Sequence, residues 1–184
     1  MDQNPYQMPM PGDGASAPAP LPAFTASASA EIQKLEGELK NQAGWMYWIA
    51  GTTVVNTFVI LFEGNFNFLL GLAPTQIACG LALGMREEFG QNAFLGAALV
   101  AVVFTLVAAG IFIGLGYFGA KRHTWAFIVA MILYALDTLI FLALGEILSI
   151  ILHGLALVFL FNGMNTSRKL NQLMAQQSQT VQPY

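Results

Sequence analysis

Two residues stand out for the chemistry that their types could do. Asp137 and His153 lie in the run "LYALDTLIFLALGEILSIILHG" (Leu133–Gly154), which is otherwise almost wholly apolar. Each is eight residues from Gly145 (145 − 137 and 153 − 145). If the chain reverses at that glycine, both sit at one depth, about 12 Å below the turn at the rise of an α-helix. A carboxylate and an imidazole buried together can form a hydrogen-bonded or ionic pair, relay a proton, or activate a hydroxyl.

The third possibility is the remotest. Ser149 and His153 are four apart on one helical face with Asp137 opposite, which allows a Ser-His-Asp arrangement on paper. However, no glycine-rich turn exposes Ser149 and no oxyanion donors are identifiable. Intramembrane proteolysis by paired aspartates needs a second deep carboxylate, which is missing. One His and one Asp make no metal site, and no cofactor is expected.

Asn56 is seven residues from Glu63, about 10 Å below the same end of its own helix, and so belongs to the same layer. Tyr134 lies one turn below Asp137, and Ser149 one turn above His153. The expected intramembrane cluster is therefore Asn56, Tyr134, Asp137, Ser149 and His153. An ionisable group at that depth costs about 3 kcal/mol on insertion scales, so it should face the bundle interior and find a partner. The first reading is a pair that fixes the register of two apolar helices; a proton relay or gated polar cavity is the second.

The elements that position these residues follow from composition. Of 184 residues, 56% are apolar and only 9% charged, and the mean hydropathy is +0.61. That describes a membrane protein rather than a soluble surface. A hydrocarbon core of about 30 Å needs roughly 20 helical residues. Four runs qualify, near Gly44–Phe62, Ala93–Phe118, Trp125–Leu144 and Ile147–Asn162. A fifth, Phe66–Gly84, is interrupted by Pro74. The fold class expected is all-α, a four-helix transmembrane bundle with an insert helix near 74–89 between spans one and two. Pro74 suits a first helical turn, so this insert lies on the outer leaflet as an interfacial helix or dips into it as a re-entrant one.

Lysine and arginine placement chooses between four and five spans. With four, Lys34, Lys40, Lys121, Arg122, Arg168 and Lys169 lie inside with both termini, and Arg86 alone lies outside. With five, the same residues divide four against three. Interface anchors agree with four spans: Trp45, Trp48, Tyr117, Lys121, Arg122 and Trp125 fall at the cytoplasmic ends.

Residues 1–29 hold all but two of the eight prolines, with Ala, Ser and Gln, and read as a disordered cytoplasmic tail. They lack the basic start and apolar stretch of a signal peptide. A helix is expected from the N-cap Ser29, with Ile32, Leu35 and Leu39 on one stripe, running into the first span. The bundle then covers 30–166, and 167–184 form a polar tail that frays. In span two, Ala97, Ala101, Thr105 and Ala109 recur every four residues, and Gly110 and Gly114 add a GxxxG. Together they predict a packing ridge, with homodimerisation as the competing use. The single Cys79 can form no intramolecular disulfide, and the net charge of −3 with scattered basic residues excludes a nucleic-acid footprint. The partners expected are the lipid bilayer and either a second copy or another membrane protein.

The stretch "GYFGAKRHTWAFIVAMILYALDTLIFLALGEILSIILHGLALVFLFNGM" (Gly116–Met164) resembles the second half of a group of small bacterial polytopic membrane proteins with no assigned activity. The shared marks are Trp-Ala-Phe at the start of the third span, Tyr134 and Asp137 three apart, and His153 followed by an Ala-Leu run ending in Gly163. "YWIAGTTVVNT" (Tyr47–Thr57) and "GLAPTQ" (Gly71–Gln76) are similar to the first half. The resemblance covers about two thirds of the chain and implies residence in the bacterial inner membrane. It also implies an acidic residue at the position that this chain fills with Cys79. Together these readings predict an assembly, scaffold or accessory protein without a catalytic centre. The alternative is a small proton- or ion-linked transporter that acts as an oligomer through Asp137 and His153.

Overall fold

The computed structural model describes residues 23–62 and 71–180. Among the described residues five helices follow one another: α1 (Ala23–Leu61), α2 (Ala73–Phe89), α3 (Gln91–Ala120), α4 (Thr124–Leu144) and α5 (Ile147–Thr180). Four of them, α1, α3, α4 and α5, are long and apolar enough to cross a membrane. The chain is thus a multi-pass transmembrane helix bundle, with α2 as the insert between the first two spans.

Small residues bring the helices together, because lipid chains compete with any larger apolar contact. On α3 the buried stripe runs through Ala101, Thr105, Ala109, Phe112, Gly116 and Gly119. Gly116 and Gly119 let Tyr47, Met46 and Phe127 approach within about 3 Å of where a Cβ would stand. At Gly163 on α5 a Cβ would overlap the ring of Phe127. The central core therefore forms around Met46, Phe127, Ala130, Ala156 and Leu160, all fully buried.

The predicted ridge needs correction at its deeper end. Ala101, Thr105 and Ala109 are buried and Ala97 is half-buried, but Gly110 is exposed and a Cβ on either Gly110 or Gly114 would meet nothing within 4 Å. Steps of four, four and three residues rotate the stripe off the GxxxG and onto Phe112 and Gly116. In a helix apolar on every side, spacing alone does not say which face is turned inward.

The ends differ from expectation as well. Helix α1 begins at Ala23, ahead of Ser29, and α5 continues to Thr180 instead of fraying after residue 166. The reason is mutual cover. Leu35, Leu39 and Leu170 are buried in one cluster, against which Ile32, Leu173 and Met174 pack. The apolar stripe of α1 thus has its partner in the tail of α5, and Lys169 reaches Glu31 across the same contact at 2.7 Å. The proline-rich residues 1–22, the acidic Glu63 and the end of the tail, 181–184, lie outside the described residues.

Candidate functional site

Asp137 belongs to the buried face of α4, which runs Ala126, Phe127, Ala130, Tyr134, Asp137 and Phe141 at helical spacing. Gly145 ends that helix in the left-handed conformation, φ 75°. The N–H of Glu146 bonds back to the carbonyl of Phe141 at 3.1 Å and that of Gly145 to Leu142 at 3.2 Å. This is a Schellman closure, which glycine permits without Cβ strain. It turns α5 back along α4 and sets His153 opposite Asp137.

The pair meets directly: His153 Nε2 lies 2.8 Å from Asp137 Oδ2, with His153 fully buried and Asp137 4% exposed. The other ring nitrogen, Nδ1, lies 2.7 Å from the carbonyl of Ser149. A carbonyl only accepts, so Nδ1 carries a hydrogen. One further proton then lies between Nε2 and Oδ2, and either an imidazolium facing a carboxylate or a neutral imidazole facing a carboxylic acid satisfies the geometry. The pair is neutral overall in both forms.

The second carboxylate oxygen holds the insert. Oδ1 of Asp137 accepts the N–H of Ala73 at 2.8 Å. Ala73 opens α2 after Leu72, whose backbone is extended, and α2 has no side-chain cap of its own. A residue from α4 therefore does the work of an N-cap, and the positive end of the α2 dipole complements negative charge on Asp137. Next to it, the N–H of Leu72 donates to Thr53 Oγ1 at 3.3 Å, and the Thr75 hydroxyl donates to the Leu72 carbonyl at 2.7 Å. Helix α2 thus starts at the level of Asp137, inside the bundle, and leaves toward the turn at Gly90.

Aromatic rings enclose the pair. Tyr134 stacks on His153 with centroids 4.3 Å apart and planes 14° from parallel, and Phe141 lies against the other part of the ring at 4.8 Å. On one flank Asp137 borders a recess of about 290 Å³, whose remaining lining includes Leu72, Pro74, Phe104, Phe112 and Leu136. Apart from Asp137 and Thr75 that lining is apolar, and the recess opens between α3 and α4.

The predicted cluster is therefore assembled in part. Tyr134, Asp137 and His153 form one unit, and Ser149 contributes through its carbonyl. Its hydroxyl is not what His153 bonds, and both ring nitrogens are occupied, so the drawn Ser-His-Asp arrangement does not form. Asn56 is buried, but its side chain sits beneath Gly71, where a Cβ would come within 2.8 Å of Nδ2. Sequence reasoning missed Ala73, whose contribution is a backbone N–H. It also missed the Thr57–Thr105 hydrogen bond, 2.8 Å, which ties α1 to α3. The one available signal for Ala73 was Pro74, which marks a first helical turn and so places a free N–H donor just before it.

Among the anchors, Trp48, Tyr117 and Trp125 are exposed, whereas Trp45 stacks on Phe159 at 4.4 Å and joins α1 to α5. Among the described residues, no group of three or more His, Cys, Asp and Glu side chains is arranged to hold a metal ion. No family model, curated protein or solved structure matches the chain.

Proposed function

We propose that this protein is a non-catalytic assembly, scaffold or accessory protein of the bacterial inner membrane, with both termini in the cytoplasm. The observation that carries this reading is the closed circuit at Asp137. Both carboxylate oxygens and both imidazole nitrogens are engaged by the chain's own groups, and three helices are joined by the result. Such a centre fixes architecture and offers no unoccupied polar atom of the pair to a substrate. The resemblance to small bacterial membrane proteins supports the inner membrane. The gathering of Lys34, Lys40, Arg168 and Lys169 with Lys121 and Arg122 of the α3–α4 turn, where Arg122 meets Glu36 and Asn171, at one end of the bundle supports the orientation.

Complementation tests the proposal. A host strain lacking the protein should recover with Asp137→Asn, which preserves the circuit, and fail with Asp137→Ala, which breaks it. A folded Asp137→Asn protein that fails to complement overturns the structural reading.

One observation favours a second reading, a proton-linked transporter acting as an oligomer. The single proton between Nε2 and Oδ2 has two resting places, and the 290 Å³ recess lies beside it. Wild-type proteoliposomes would then acidify or alkalinise under a proton gradient, and Asp137→Asn vesicles would not.

A further inference from the structure

The opposite end of the bundle carries a different kind of site. Between α1 and the turn from α3 to α4 lies a recess of about 470 Å³ lined by Glu36, Lys40, Lys121, Arg122 and His123, with Leu39 and Ala120. Three permanent cations face one carboxylate there. We propose that this recess holds the phosphate-bearing headgroup of an anionic membrane lipid.

The local backbone favours an anion. Three of the carbonyls that end α3 are already engaged: Tyr117 and Phe118 by the N–H of Lys121, and Gly119 by that of Arg122. Helix α4 starts just beyond, at Thr124, with His123 as its N-cap and no side-chain cap, so the positive end of its dipole faces this turn. Arg122 is held in place for the task. It adopts φ 69°, and its carbonyl accepts from Ser167 Oγ at 2.9 Å and Asn171 Nδ2 at 3.1 Å. Its Nη1 contacts Met174 Sδ and lies a loose 3.9 Å from Glu36, and a guanidinium carries further N–H groups for another acceptor.

A lipid fits better than free phosphate, because the recess lies at the membrane boundary. Lys121 rests 4.2 Å above the ring of Tyr117, and half-exposed Tyr117 and Trp125 flank it, as amphipathic rings do at headgroup level. Lys40 also lines a second recess, about 560 Å³, with Gly44, Trp45, Trp48 and Phe159. That recess follows α1 into its apolar part, the direction an acyl chain takes below its headgroup. Basic recesses between transmembrane helices bind anionic headgroups in this way.

The test uses the full chain in detergent, with phosphatidylglycerol and phosphatidylcholine as probes and retained lipid counted by native mass spectrometry. Wild type should retain phosphatidylglycerol in preference. Lys40→Gln and Lys121→Gln should each lower that retention about five-fold, the effect of one basic residue at a membrane surface. Lys40→Arg and Lys121→Arg should restore it, and Lys34→Gln, at the same end but outside the recess, should leave it unchanged. Equal retention of the two lipids by wild type overturns the proposal, as does an equal loss in Lys34→Gln. Displacement of phosphatidylglycerol by millimolar inorganic phosphate would assign the recess to a free anion instead and overturn the lipid.

Discussion

Oδ1 of Asp137 accepts the N–H of Ala73 at 2.8 Å, although 64 residues separate the two in sequence. One acid therefore caps the insert helix with one oxygen and binds the last span with the other. This double use makes the two simplest substitutions at position 137 behave differently.

Asp137→Asn keeps an oxygen for Ala73 and gains an amide that donates to Nε2 of a neutral His153. Its thermal midpoint in detergent should lie close to wild type, since interhelical hydrogen bonds in membranes are worth about 0.6 kcal/mol on average. Asp137→Ala leaves the Ala73 N–H and His153 Nε2 both buried without this partner, at a cost of about 2–5 kcal/mol. Equal losses in the two variants would mean that the negative charge, rather than the bonding pattern, holds the bundle.

Two glycines should part company under substitution. Gly163→Ala places a methyl group in the ring of Phe127 and should destabilise by about 1–3 kcal/mol as the α4–α5 contact is forced apart. Gly110→Ala meets nothing in the bundle and should hold or raise stability, by up to about 1 kcal/mol from helix propensity. Thermal unfolding monitored by circular dichroism would compare them. A loss at position 110 as large as that at 163 would reveal a contact made by a second copy.

The Thr57–Thr105 hydrogen bond lends itself to a double-mutant cycle with valine at each site. A coupling of about 0.6 kcal/mol is expected, because each hydroxyl deprived of the other retains a helical carbonyl within reach. Zero coupling would remove this bond from the forces that join α1 to α3.

Topology reporters address the proposed orientation. Fusions at Thr124 and after the carboxyl terminus should read cytoplasmic, and fusions near Glu87 and Gly145 external. An external carboxyl terminus would reject that orientation.

The four spans were legible in the sequence because length and apolarity suffice to mark them. The common depth of Asp137 and His153 was legible too, since equal distances from Gly145 put them at one level whatever the helices' rotation, but whether they would meet was not. What could not be read was rotation itself. Gly110 and Gly114 carry a familiar motif, yet neither is packed closely against another helix, because apolar residues on every side of α3 leave its inner face unmarked. The seating of α2 depended on the backbone of Ala73, which no side chain advertises. The length of α5 depended on Leu170, Leu173 and Met174 finding Ile32, Leu35 and Leu39, two weak stripes that acquire meaning only as a pair.

The distance from Ala73 to Asp137 also imposes an order on biogenesis. At about 5–20 residues per second, a ribosome takes roughly 3–13 s to travel from one to the other, and His153 emerges later still. Until then α2 has no acceptor from α4, so its first turn must wait in the translocon, in water or against lipid headgroups. The final hairpin latches a segment inserted well before it, and a chain truncated after α3 would carry its spans in the membrane with α2 unlatched.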